Sequence, residues 1–181
     1  SGGVSRNQAV VAHLERMLGT GLICEKGPSA AAAARDFRCD LVVAVGGGSA
    51  LDTAKAVALL MRNPGKLEDY FGIGLVKQRG VPSILLPTTS GTGAEITPNS
   101  LFYVPALKEK KAVVSPHTIP DVAIIDALLT LSVPPKVTAA TGMDALSHAV
   151  ESYTSLNASP MTDLYALEAI RLIGAHLRTA V

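Results

Sequence analysis

Apolar positions divide the chain into short strand-like runs alternating with longer segments of helical period. Val10, Val11, Leu14 and Leu18 recur at helical spacing and Gly19 follows as a stop, which predicts a surface helix. A short apolar piece at Leu22 and Ile23 comes next. Residues 30–35 predict a second helix, with side chains small enough to pack closely on a sheet. The run 41–45 is continuously apolar and β-branched, so it reads as a strand covered on both faces, and therefore as part of a parallel sheet. Glycines end it, and a helix is predicted from about Ala50 to Met61. The order then repeats. Residues 82–86 read as a strand running into the loop PTTSGTGAEITPN, and residues 122–125 as a further buried strand. Between them, 101–104 and 112–114 form an expected hairpin. Strands alternating with helices predict a doubly wound parallel α/β sheet.

After Pro134 and Pro135 the pattern changes. Residues 137–153 and 161–177 keep a helical period and no strand follows. The chain is therefore divided into an α/β domain over 1–134 and, over 135–181, the first helices of an all-helical domain. That second domain reads as truncated, because two helices bury little surface without others to pack on.

Composition narrows the class of function. Hydrophobic residues make up 48% and charged residues 17%, more apolar than an average soluble domain. This predicts a tight core and surface covered by a second copy of the chain, with a homodimer as the expected state. No apolar run is long enough to cross a bilayer and no signal peptide is visible, so a membrane partner is not expected. Sixteen Lys and Arg against fifteen Asp and Glu, with no Trp, leave no basic face with aromatic platforms. Nucleic acid is thus not an expected partner. Cys24 and Cys39 have neither metal-ligand spacing nor a disulfide framework, which fits a reducing, cytoplasmic setting.

The candidate chemistry lies in three places. The first is GGGSALDTAK, which follows a strand and opens a helix, the setting in which backbone amides and a helix N-terminus hold a phosphate. Gly46, Gly47 and Gly48 allow close approach, and Ser49 adds a hydroxyl. A purely structural role is also open, with Ser49 and Asp52 forming a capping box. Three adjacent glycines cost more chain entropy than a turn requires, which favours phosphate contact. The string is not the dinucleotide fingerprint, because Leu51 stands where its third glycine would be.

The second place is PTTSGTGAEITPN, which sets the hydroxyls of Thr88, Thr89, Ser90 and Thr92 beside Gly91 and Gly93 after a buried strand. Such residues are ordinary in loops. In a doubly wound sheet, however, this loop would face the first glycine turn across a crevice at the carboxyl edge, an arrangement suited to a dinucleotide. The third is ATGMDALSHAVES, where Asp144 and His148 stand four residues apart and share a helix face. Oxygen and nitrogen donors at that spacing can serve one divalent cation, iron or zinc. Two residues are equally an ordinary surface pair. The surrounding Ala140, Met143, Ala145, Ala149 and Val150 give the pair small or apolar neighbours. His13, His117 and His176 read as structural or exposed.

Taken together, GGGSALDTAK, PTTSGTGAE and GMDALSHAVESY closely resemble the iron-containing (group III) alcohol dehydrogenase family in sequence, order and spacing, almost continuously from Cys39 to the end. The resemblance implies an α/β dinucleotide domain followed by an all-helical domain, with a nicotinamide cofactor and a divalent metal in the cleft between them. It places Gly47, Gly48, Ser49 and Asp52 at the pyrophosphate, and Thr88, Thr89 and Thr92 near the phosphates and the nicotinamide side. It matches Lys110 to a cofactor-contacting lysine, although Lys111 leaves the register open. Asp144 and His148 match the first two metal ligands and the catalytic centre. The implied reaction is hydride transfer between NAD or NADP and a small alcohol or aldehyde, with Fe(II) or Zn(II) polarising the substrate oxygen.

The chain departs from the family pattern at both ends. Two further histidine ligands would lie beyond Val181, a strand-helix-strand segment with the ribose-binding acid has no counterpart, and residues 22–28 are shorter than the matching stretch. NAD and NADP are therefore not separated, and the sequence reads as a fragment or as the ordered part of a longer protein. Alternatives are a related polyol dehydrogenase, a dehydroquinate-synthase-like enzyme, or a nucleotide-binding module without catalysis. A maleylacetate-reductase-like protein is disfavoured, since that group tends to lack the aspartate found here as Asp144.

Overall fold

The computed structural model describes residue 31, residues 34–36 and residues 38–181. The predicted first helix with His13, the piece at Leu22 and Ile23, and Cys24 lie outside the described residues. Of the second predicted helix, Ala31, Ala34 and Arg35 are described and helical.

The β-branched run becomes β1 (Val42–Gly46), which pairs in parallel with β3 (Ser83–Pro87), from Val42 opposite Ser83 to Gly46 opposite Pro87. β3 pairs in parallel with β6 (Val122–Ala123) on its other side, giving the order β1-β3-β6. A second three-stranded sheet contains β2 (Gly72–Ile73), β4 (Asn99–Val104) and β5 (Glu109–Val114) in the order β2-β5-β4. Its β4 and β5 form the expected antiparallel hairpin, while β2 joins β5 in parallel. The two-residue β2 was not expected, because Gly72 and Ile73 carry no periodic pattern to reveal it.

α1 (Gly48–Leu60) connects β1 to the rest of the sheet and links two cores. Its Ala and Leu content favours helix. Leu51 and Ala54 pack with Leu85 and Ala94 against Val42 and Ala44. Near its far end, Leu59 and Leu60 join Tyr70, Val76, Val113 and Ala31. Leu51, Leu59 and Leu85 are at most 1% exposed, and each such side chain contributes roughly 1.5–3 kcal/mol on burial. The carbonyls at the C-terminus of α1 are satisfied by side chains: Arg35 donates to Leu60 O at 3.0 Å and Asn63 to Leu59 O at 2.9 Å.

Two expectations need correction. β1 is half-buried from Val42 to Val45, on both faces alike, rather than fully covered; the core beneath α1 packs on the face carrying Val42 and Ala44. The predicted buried strand at 122–125 is a two-residue edge strand, with Val122 45% and Ile125 67% exposed. Periodicity marks which residues prefer burial, not how much of the sheet is covered.

Pro135 opens α2 (Pro135–Thr154) and Pro160 opens α3 (Pro160–Ala180), with Ser159 capping α3 by accepting from Thr162 N at 3.3 Å. Gly142 of α2 lies against Leu177 of α3, so the helices run antiparallel. Only Ala149 and Ala166 of the pair are buried.

Candidate functional site

The site begins where β1 ends. Gly47 is the N-cap of α1, in extended conformation with φ −77° and ψ 177°, and no side chain caps the helix. The first helical bonds run from Ala50 N and Leu51 N to Gly47 O, at 2.9 and 3.2 Å. The amides of Gly48 and Ser49 therefore precede the helical ladder, and the first turn carries no acidic side chain. This leaves the positive end of α1 open to an anion. The alternative capping box between Ser49 and Asp52 is not formed. The glycines let the helix start earlier, so Ser49 sits exposed inside the first turn and Asp52 in the second.

The loop after β3 meets this turn directly. Thr88 N donates to Gly46 O at 2.9 Å, continuing the strand pairing to the edge of the glycines. A Cβ on Gly47 would stand 3.3 Å from Thr89 Oγ1, and one on Gly48 only 2.8 Å from Thr92 Oγ1. Those glycines are needed for the two turns to approach each other so closely. Thr88 is buried, Thr89 half-buried and Thr92 exposed, so hydroxyls of graded accessibility surround the helix end.

Asp52 faces inward, 7% exposed, and both of its oxygens are engaged. Oδ2 accepts from Leu101 N at 3.1 Å, and Oδ1 pairs with Lys55 Nζ at 3.3 Å. Lys55, 2% exposed, also donates to Ala94 O at 2.9 Å and to Asn99 O. Burial pushes the Asp52 carboxyl above its ordinary range, against the N–H of Leu101 and the charge of Lys55. Burial likewise pushes the Lys55 ammonium down, opposed by Asp52. Sequence reading passed over Lys55. Its only local sign is its place three residues after Asp52.

The same loop carries the site to α2. A Cβ on Gly91 would lie 2.8 Å from Thr141 O, so the loop packs on the backbone of α2. Thr141, Asp144 and His148 follow at intervals of three and four, on one stripe of the helix. Asp144 Oδ2 and His148 Nε2 are 3.7 Å apart, with side chains 46% and 57% exposed. Two donors bound to one tetrahedral cation at about 2.1 Å would be about 3.4 Å apart, so a small rotation lets this pair share a divalent ion. Oxygen with imidazole nitrogen suits iron or zinc. Among the described residues no group of three or more His, Cys, Asp or Glu side chains gathers, so Asp144 and His148 stand there as a pair.

Comparison with known proteins decides the family. The iron-containing alcohol dehydrogenase model matches residues 25–127, and the Fe-containing alcohol dehydrogenase family C-terminal model matches residues 138–181. The chain belongs to the iron-containing alcohol dehydrogenase family. Long-chain-alcohol dehydrogenase 1 of Geobacillus thermodenitrificans is 52% identical over 160 residues, covering 87% of this chain and 40% of that protein. The sulfoacetaldehyde reductase of Bilophila wadsworthia is 48% identical, covering 81% and 38%. A crystal structure of sulfoacetaldehyde reductase from Bifidobacterium kashiwanohense in complex with NAD+ superposes with TM-score 0.84 at 36% identity, over 96% of this chain and 50% of that one. The chain thus spans about two fifths of the length of these curated relatives. The α/β fold with its parallel sheet is that of the iron-containing alcohol dehydrogenases, whose dinucleotide domain is followed by a helical one.

The resemblance also matched Lys110 to a cofactor contact. Lys110 is exposed on the β4-β5 hairpin opposite Tyr103, and its neighbour Lys111 pairs with Glu109 at 2.7 Å. Neither lysine contacts the glycine turn or the Thr88 loop among the described hydrogen bonds. His117 lies in a Pro116-led turn in which Ser115 Oγ accepts from its backbone N at 3.1 Å, and His176 is exposed on α3. No helix among the described residues is long and apolar enough to cross a membrane.

Proposed function

We propose that the protein this chain represents is an NAD(P)-linked, metal-dependent dehydrogenase acting on a small alcohol, diol or aldehyde. One observation carries the reading: a continuous line of contacts runs from Gly47 and Gly48 through Thr89 and Thr92 to Gly91, then to Thr141 on the helix bearing Asp144 and His148. A dinucleotide held at one end of that line would have its far ring directed toward the donors at the other.

In this reading, the Gly48 and Ser49 amides and the N-terminus of α1 bind the pyrophosphate. Thr88, Thr89 and Thr92 supply hydroxyls along the phosphates and toward the nicotinamide. Asp52 acts by holding α1 against Leu101. Asp144 and His148 hold the cation, with remaining ligands from elsewhere in the full enzyme. When bound, the cofactor supplies hydride exchange and the cation supplies Lewis acidity at the substrate oxygen. The relative solved with NAD+ supports NAD over NADP, and the family supports Fe(II) over Zn(II). The compounds named for the relatives, long-chain alcohols and sulfoacetaldehyde, mark the range to be assayed. A cytoplasmic homodimer fits the apolar composition and a sequence whose two cysteines form no disulfide framework.

The test is metal dependence of the intact enzyme. Chelation is expected to abolish alcohol-dependent NAD(P)H formation, and Fe(II) or Zn(II) to restore it. Activity indifferent to chelators would overturn the role given to Asp144 and His148.

A further inference from the structure

Lys55 is the most deeply buried charge among the described residues, with its side chain 0% exposed. An ammonium in such a place has lost its hydration, a loss that is offset only where its protons find acceptors. Here each does, and the acceptors lie on different parts of the fold. Asp52 Oδ1 belongs to α1, Ala94 O to the end of the Thr88 loop, and Asn99 O to the start of β4. Asp52 extends the network by accepting from Leu101 N on β4.

The position of Ala94 gives the network its consequence. It is 3% exposed, packed in the core with Leu51, Ala54 and Leu85, and its N–H donates to Thr92 Oγ1 at 3.3 Å. Thr92 in turn is the residue that stands against Gly48. One ammonium therefore anchors the base of the second loop to the same helix whose N-terminus forms the first turn. An aliphatic side chain of equal length would fill the space but hold neither carbonyl.

We propose that Lys55 is a positioning residue that clamps the threonine loop onto α1 and so sets the width of the dinucleotide crevice. The proposal rests on the dinucleotide reading above. It makes Lys55 part of the crevice without contact to the ligand.

The test compares two variants of the intact enzyme by titration with NADH, followed through nicotinamide fluorescence, beside urea unfolding of each. Lys55→Met removes the clamp. Leu59→Ala, on the same helix but packed in the other core, serves as a control for lost stability alone. With both variants measured well below their unfolding midpoints, Lys55→Met is expected to weaken NADH at least about tenfold, and Leu59→Ala by less than about threefold. Equal affinities for Lys55→Met and the unsubstituted enzyme, or equal losses in the two variants, would overturn the clamp. Failure of the unsubstituted enzyme to bind NADH would overturn the dinucleotide reading itself, and the clamp with it.

Discussion

Gly91 packs so closely on Thr141 that a Cβ at position 91 would stand 2.8 Å from the Thr141 carbonyl oxygen and 2.9 Å from its Cβ. This contact joins a loop of the α/β part to the helix that bears Asp144 and His148. Because the obstacle is backbone, no side-chain rotation relieves it.

Gly91→Ala is therefore expected to push the loop away from α2. Misplacement of reacting groups by about 1 Å costs up to about a hundredfold in rate, so kcat should fall about ten- to a hundredfold. NADH affinity should also weaken, though less than kcat, because Gly91 lies between Thr89 and Thr92 in the loop proposed to hold the dinucleotide. Steady-state kinetics with a parallel NADH titration separate the two. An unchanged kcat would show that this contact does not set the geometry of the reaction.

Much of this arrangement was legible in the sequence. The strand, glycine turn and helix around residues 42–60, the hairpin at 99–114 and the two helices after Pro134 all follow from local period and local breakers. The partners of Asp52 were not legible. Leu101 lies 49 residues away and Ala94 lies 39 residues from Lys55, and no local pattern announces which backbone groups a buried ion pair will meet. A Ser and an Asp three residues apart after glycines looked like a capping box, yet the glycines themselves began the helix at Gly48. The half-burial of β1 escaped for a related reason, since coverage depends on what packs against a strand and not on the strand.

The Asp52 carboxyl, raised by burial above its ordinary 3.8, binds its proton more tightly in the folded chain than in the unfolded one. Its contribution to stability is full below pH 3.8 and is lost as pH rises through the folded-state value. Asp52→Asn removes that titration. The unfolding free energy of the unsubstituted enzyme, minus that of the variant, should therefore decrease as pH rises from 3.8. Urea unfolding at a series of pH values measures the difference. An increase over the same range would mean that Lys55 and the Leu101 N–H outweigh burial and hold the carboxyl below its ordinary value.

The central claim is that the glycine and threonine turns direct the nicotinamide end of a dinucleotide toward Asp144 and His148. Paramagnetic relaxation of bound NAD+ protons, with Co(II) loaded into the intact enzyme, measures that proximity directly. The account predicts strong relaxation of the nicotinamide protons, weak relaxation of the adenine protons, and loss of both in His148→Ala. Relaxation strongest at the adenine protons, or none at either ring with Co(II) bound, would contradict it.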